Sequence, residues 1–328
     1  MQNLDNPEPL VTICVPVFNG ERTIAGTIDS ILNQTYKNIE IIVVDNCSED
    51  STVKIVKEFS DIRIHLVLSD NHLPCAEANW NRCFQYGQGE FLAIFHADDV
   101  YLPHMISRQV EAFKKFPLVG SVFTQGNIID EENTVIGEFK IPPGIRDSEP
   151  CSFPKIFNTA LEYADFLPSP SAMLRRDLYM KLSPFRYDQF RSASDFDLWL
   201  RAAASAPIMI LNEKLMNYRV SKTQGSFAIN KLRTDESDFF KVMDYHIDQN
   251  KNTSVISAGS LNSYEISRMG DQLIRAWNSF KKRDVKKFKE QMKNICWLKY
   301  VKILTRNPGL LYSKYQLYSY FRVFKSYH

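Results

Sequence analysis

Apolar residues in the first third of the chain come in two alternating rhythms. Short apolar runs (Leu10-Val-Thr-Ile-Cys-Val-Pro16, Glu40-Ile-Ile-Val-Val-Asp45 and Phe91 to Phe95) read as buried strands, and Ile62 to Leu68 reads as a further strand. Between them the spacing becomes helical. Thr23 to Gln34 places Ile24, Ile28, Ile31 and Leu32 on one side. Ser51 to Phe59 has Ser51 as a cap, and Ala76 to Tyr86 ends at Gly87 or Gly89. Such alternation builds right-handed β-α-β units and a largely parallel sheet, so the pattern predicts an α/β fold. A helix follows Pro103 to about Phe116, and Val119 to Phe123 and Ser171 to Arg176 return to strand character. Asp195-Phe-Asp-Leu-Trp-Leu-Arg-Ala-Ala-Ala opens a helix whose acids complement the helix dipole. Residues 130 to 155, rich in Pro, Gly and charge, read as an excursion, and from about 230 onward the chain is polar and helical.

In a parallel sheet of this kind, ligands bind beyond the carboxyl ends of the strands. Pro16 to Asn19, Asp45 and Asp98-Asp99 all fall at such ends. The last pair carries the most chemistry. Adjacent carboxylates at a strand end repel unless a cation lies between them, and hard divalent ions prefer such oxygens. Asp-Asp after a strand is also ordinary turn chemistry, and taken alone the pair does not separate these readings.

Composition narrows the classes. With 44% hydrophobic and 24% charged residues, the 328-residue chain is that of a soluble globular protein with room for one large domain or two smaller ones. A net charge of +2 and no basic recognition motif argue against a nucleic-acid partner. The six cysteines form no close C-x-x-C pair, which argues against a zinc site or disulfide framework. The amino terminus carries no charged-then-apolar signal, and no run approaches the ~20 apolar residues of a membrane span. A reducing cytoplasm is the expected setting.

Several motifs stand in a familiar order: Val15-Pro-Val-Phe-Asn19-Gly-Glu21; Val43-Val-Asp45-Asn-Cys-Ser48-Glu-Asp50; Asn71-His-Leu-Pro; Ala78-Asn79-Trp80-Asn81-Arg82; Gly87-Gln-Gly89-Glu90; Ala97-Asp98-Asp99-Val-Tyr101-Leu-Pro103; and Ser194-Asp195-Phe-Asp197-Leu-Trp199-Leu-Arg201. In this the chain resembles the inverting nucleotide-sugar glycosyltransferases of family 2, over about residues 10 to 226. The resemblance implies the GT-A fold, a Rossmann-like, mostly parallel central sheet flanked by helices. It divides the chain into a GT-A domain at 1–228 (a nucleotide-binding half to about 110, an acceptor half at 111–228) and a basic, aromatic, helical C-terminal region at 229–328.

The resemblance also implies roles. Pro16, Val17, Phe18, Asn19, Glu21, Asp45, Asn71, Arg82, Ala97 and Asp98 would serve the nucleotide, with Asp45 on the base and Asp98 on the ribose. Asp99 would hold Mn²⁺ or Mg²⁺, and Asp195 would be the general base. The chemistry requires such groups: a departing diphosphate needs a cation, and an attacking hydroxyl must lose its proton to a carboxylate. The implied partners are a nucleotide-sugar donor, UDP being the commonest nucleotide in the family, and a glycan or lipid-linked acceptor in cell-surface polysaccharide synthesis. Read without the family, Asp45 is a strand-end turn acid and Asp195 a helix-start acid. Asp197 serves the dipole or a salt bridge, Trp80 is core, Trp199 packs behind the base, and Arg82 pairs with a phosphate or a carboxylate.

Three departures stand out. His96 occupies a place where relatives often carry Asp, and reads first as a hydrogen-bonded strand-end histidine. Ser194 replaces the Glu that often precedes the base. After Tyr218-Arg219, Ser221 stands where a His is common, with Lys222 and Gln224 nearby. Beyond Glu290 the tail carries no acid but many Lys, Arg and aromatic residues. That pattern suits peripheral contact with the inner face of a membrane, and equally packing on the catalytic domain or on a second copy. Two other functions compete: a non-catalytic nucleotide-sugar binding module, and a sugar-phosphate nucleotidyltransferase. The latter needs a Gly-rich, Arg-containing loop after the first strand, and Asn19-Gly-Glu-Arg-Thr offers one Gly.

Overall fold

The computed structural model describes residues 8–145, 149–182, 184–221, 233–293 and 305. It contains two compact units, one made of 1–156 with 166–220 and the other of 157–165 with 221–328. Along the first unit run β1 (Val11–Val17), α1 (Ile24–Leu32), β2 (Ile39–Asp45), α2 (Thr52–Glu58), β3 (Ile64–Leu68), α3 (Ala76–Tyr86) and β4 (Phe91–Ile94). Then come β5 (Val100–Tyr101), α4 (Met105–Lys115), β6 (Ser121–Ile129), β7 (Val135–Glu138) and α5 (Phe153–Tyr163), whose later residues belong with the second unit. The remainder is β8 (Met173–Arg175), α6 (Arg176–Leu182), α7 (Tyr187–Phe190), α8 (Ser194–Ser205) and β9 (Ile208–Arg219).

All strands join one 9-stranded sheet in the order β3-β2-β1-β4-β8-β6-β9-β5, with β7 beside β6. β1, β2, β3, β4, β6 and β9 point one way, while β5, β7 and β8 run against them, so the sheet is mostly parallel. Its core follows from the apolar runs: Val11, Ile13 and Val15 of β1, and Ile41 and Val43 of β2, pack with Ile24, Ile28 and Ile31 of α1. β4 pairs with β1 only from Val11 to Cys14, so Pro16 lies beyond the last pair. The chain leaves β1 for α1 on one side and reaches β4 on the other, which opens the sheet at its carboxyl edge there. Gly89 makes this junction possible, since a Cβ there would lie 2.6 Å from the Thr12 backbone nitrogen.

The sheet is larger than the sequence pattern predicts. β9, a 12-residue strand, was not anticipated, and β6 extends past Phe123 to Ile129. The excursion after Ile129 contains β7, which turns back on β6 through Asp130, whose Oδ1 accepts from the N–H groups of Glu132 and Thr134 at 3.1 and 2.8 Å. The five described cysteines are free.

The second unit is helical, as expected, with α9 (Asp238–Asn250), α10 (Ala258–Lys281) and α11 (Val285–Lys293). Phe240, Met243, Tyr264 and Ile266 are buried in it. Tyr264 and Arg268 of α10 both reach Asp244 of α9 at 2.7 Å. Among the described residues no helix is long and apolar enough to cross a membrane. The basic, aromatic tail from 294 lies outside the described residues except for Thr305, as do Lys222 and Gln224.

Candidate active site

At the carboxyl edge the loops after β1 and β2 are sewn together. Asn19, at φ +49°, donates its N–H to Ser48 Oγ and accepts the Glu49 N–H on Oδ1, both at 2.9 Å. Glu21 accepts the Ser51 N–H at 3.0 Å, and its own N–H donates to Asp50 Oδ2 at 3.1 Å. Asn19 and Glu21 therefore shape this loop pair. Val17 is core, so it offers a ligand only its backbone. Pro16 is half-buried, while Phe18 is exposed and its ring lies 4.6 Å from that of His72.

Asp45 ends β2 almost fully buried. Its Oδ2 accepts the Ser48 N–H at 2.9 Å, while Oδ1 has no partner among the described residues. An unpaired buried carboxylate oxygen is costly, which suits it to a ligand donor such as a nucleobase N–H. The neighbouring Cys47 holds φ +64°, a strained conformation for a non-glycine residue. Asn79 of α3 donates to Val44 O at 3.1 Å and so pins the helix to β2. Among the described residues Arg82 pairs with no carboxylate. Its guanidinium donates to Ser69 Oγ and, at 3.2 Å, to Asn71 Oδ1.

Beyond β4 the chain turns through His96, Ala97, Asp98 and Asp99. Each of His96, Asp98 and Asp99 can offer a ligand atom, and these atoms all lie within 4.8 Å of one another. Asp99 is 0% exposed. Its Oδ1 accepts the Arg219 backbone N–H at 2.8 Å, and its Oδ2, 3.8 Å from His96 Nδ1, has no hydrogen bond among the described residues. Burial, followed by the charge of Asp98, pushes the Asp99 carboxyl well above its ordinary pKa, and Arg219 opposes this. Burial pushes the His96 imidazole down, against Asp98. Two carboxylates, one imidazole and an unsatisfied buried oxygen are a donor set that fits a divalent cation such as Mn²⁺.

Two side chains hold this cluster. Trp80, a core residue, stacks on the His96 ring at 5.4 Å and sets its face. Arg219, the last residue of β9, is no surface cation. Its Nε donates to Asp98 O at 2.8 Å, and its other nitrogens reach Asp130 O at 2.9 Å and Asn133 Oδ1 at 2.7 Å. One residue thus ties the Asp98-Asp99 turn to the β6–β7 turn.

Asp195 lies in the first turn of α8, partly exposed. Its Oδ1 accepts the Phe196 N–H at 2.7 Å, and its Oδ2 accepts the Ser169 hydroxyl at 2.6 Å. Burial raises its pKa, while the Ser169 and Phe196 hydrogen bonds pull it down. Trp199 Nε1 donates to the same Ser169 Oγ at 2.8 Å. Asp197 does not share this role: fully buried, it is paired with Arg186 and Arg201. Ser194 is buried, and its Oγ has no partner among the described residues. A run of rings, from His96 to Trp80, to Phe185 at 5.2 Å and on to Trp199 at 6.2 Å, connects the two acidic centres along the same sheet edge. Ser169 carried no sequence signal, because a serine between two prolines reads as turn chemistry.

A curled, mostly parallel sheet with paired carboxylates after its fourth strand and a helix-borne acid beside it defines a GT-A enzyme. Comparison with known proteins agrees. Residues 12–183 match the model of glycosyl transferase family 2. The Escherichia coli UDP-Glc:alpha-D-GlcNAc-diphosphoundecaprenol beta-1,3-glucosyltransferase WfgD is 30% identical over 225 residues, 68% of this chain and 81% of the relative. Two solved structures share the fold. S. aureus TarS 1-349 in complex with UDP has a TM-score of 0.54 at 14% identity, over 86% of this chain and 90% of that one. The Pyrobaculum calidifontis mannosyltransferase PcManGT in complex with GDP-Man and Mn²⁺ has a TM-score of 0.55 at 16% identity, over 95% and 83%. The chain belongs to glycosyltransferase family 2, and the protein is a glycosyltransferase.

Proposed function

We propose that the enzyme moves a sugar from a UDP-sugar to a hydroxyl of a lipid-linked glycan acceptor, with inversion, in cell-surface polysaccharide synthesis. The observation that carries this is the cluster of His96, Asp98 and Asp99, with its unpaired buried oxygen, on the same sheet edge as Asp195. UDP is favoured by the relatives: WfgD is named for a UDP-Glc donor and a diphosphoundecaprenol acceptor, and TarS binds UDP.

Asp45 Oδ1 accepts from the base, Asp98 from the ribose, and the backbone from Pro16 to Asn19 borders the nucleoside, with Phe18 beside it. Glu21, Asn71, Arg82 and Ala97 complete the nucleotide side, the first three by shaping its loops. Asp99, with His96 and Asp98, would hold Mn²⁺ or Mg²⁺, which supplies positive charge to the departing diphosphate. The acceptor oxygen attacks the anomeric carbon from the face opposite the diphosphate. Its bond forms as the bond from the anomeric carbon to the diphosphate oxygen breaks, and its proton passes to Asp195. Burial suits Asp195 to this by raising its proton affinity towards neutrality. A single displacement needs no covalent intermediate, so one base suffices.

A lipid-linked acceptor sets the enzyme to work at the inner face of the membrane. Exposed Trp277 and Phe280 near the end of α10, with Lys281 over the Trp277 ring, support peripheral contact there, continued by the basic tail. Truncation after Gln291 is expected to weaken binding to anionic liposomes and leave UDP binding unchanged.

The first test is thermal stabilisation by UDP, dTDP, GDP and CMP, each with and without Mn²⁺. A metal-dependent rise with UDP is expected. A rise with GDP alone overturns the donor assignment, and no rise with any nucleotide favours a degenerate site that no longer binds the donor.

A further inference from the structure

We propose that Ser169 is a positioning residue for Asp195, and that Trp199 fixes the direction in which its hydroxyl points. The proposal rests on Asp195 being the base.

The direction of each hydrogen in this relay is determined. An indole N–H can only donate. At 2.8 Å, Trp199 Nε1 therefore occupies a lone pair of Ser169 Oγ. The single hydroxyl hydrogen is left for Asp195 Oδ2, 2.6 Å away. A hydroxyl held this way offers a donor to the carboxylate, which favours the ionised form over the protonated one. With the Phe196 N–H on Oδ1, each carboxylate oxygen receives one donor and keeps a further lone pair for an acceptor hydroxyl.

The serine is itself held on several sides. It opens the short turn Ser169–Ser171, where Ser171 N–H returns to Pro168 O at 2.8 Å and Ala172 N–H to Ser169 O at 3.0 Å. Ser171 Oγ accepts the Thr124 N–H at 3.1 Å, and Ser171 O accepts from Gln109 Nε2 at 2.7 Å. Ile94 N–H donates to Ala172 O at 3.2 Å, which ties the turn to β4, the strand leading into the His96–Asp99 cluster. The base is thus placed relative to the donor-side carboxylates through Ser169, independently of its own helix. The other charges on that helix, Asp197 and Arg201, are paired with each other, and Asp197 also with Arg186.

A purely structural serine, present only to satisfy the Trp199 N–H, would cost the same stability at every pH. A positioning serine would not. Asp195 is protonated at low pH in both forms, so Ser169→Ala should cost more stability at high pH, where the carboxylate is ionised and has lost its donor. The full-length protein, Ser169→Ala, Asp195→Asn and the double variant would be melted from pH 4.5 to 8. The loss of melting temperature in Ser169→Ala is expected to grow by about 2–4 °C across that range and to be constant in the Asp195→Asn background. Ser169→Thr should restore the wild-type profile. Ser169→Cys, which keeps the bulk and weakens the donor, should show the same trend if Ser169→Ala does not fold. A pH-independent loss in the Asp195 background overturns the proposal. Release of UDP from UDP-glucose, with water as acceptor, separates the two levels of inference. In Ser169→Ala the acidic limb of this rate should move up by roughly one pH unit, with KM for UDP-glucose unchanged. Release surviving in Asp195→Asn strikes the base assignment itself. An inactive Asp195→Asn with an unmoved limb in Ser169→Ala strikes only the role of Ser169.

Discussion

Asp99 and Asp195 are both carboxylates raised by burial, yet their surroundings differ. Asp99 is sealed in, has a second carboxylate beside it and keeps one oxygen unpaired, which is an electrostatic deficit that a cation removes. Asp195 stays partly exposed, has a neutral donor on each oxygen and is bonded to no cation among the described residues. Burial next to a like charge prepares a carboxylate for a metal; burial among neutral donors prepares it for a proton. In the proposed mechanism the same residue type is steered to two tasks by its neighbours.

That contrast can be broken experimentally. The largest effect belongs to Asp195→Asn, expected to lower transfer by about 10²–10⁴-fold while UDP and Mn²⁺ still raise the melting point. Its melting point at pH 7 should equal or exceed that of the wild type. The folded pKa of Asp195 lies above the unfolded one, so the ionised group lowers stability once pH has risen through the folded value, and Asn removes that charge. Asp99→Asn should do the reverse: the extra stabilisation that Mn²⁺ adds to UDP disappears, measured by thermal shift, with weak metal-free UDP binding retained.

Arg219→Ala is expected to lose roughly 2–3 kcal/mol of stability in urea unfolding, since it strips several partly buried acceptors of a charged donor, and to loosen metal-dependent binding with it. The smallest effect is His96→Asp, which should shift preference from Mn²⁺ towards Mg²⁺ by a few-fold in nucleotide-dependent thermal shift. Imidazole suits the softer ion, and carboxylate suits the harder one. If Mn²⁺ and Mg²⁺ are equivalent in the wild type, His96 is no ligand.

Much of the architecture was legible along the chain. Continuous apolar runs separated by helical spacing predict parallel strands, and the ends of those runs mark the ligand edge, because strand direction and crossover handedness leave few alternatives. Other strands were less visible: the apolar start of β9, Ile208 to Leu211, gives way to the polar Asn212-Glu-Lys214, and β5 has two residues, too few for any period.

The order of acids along the sequence therefore determined that Asp45, Asp98 and Asp99 stand on one edge, since each ends a run whose direction the connections dictate. Only the tertiary structure decided which groups surround them. Arg219 reaches Asp98 from 121 residues away, Ser169 reaches Asp195 from 26, and Trp80 stacks on His96 from helix α3. Contacts of that kind depend on register between elements, which local periodicity does not encode, and they set how each carboxylate is charged.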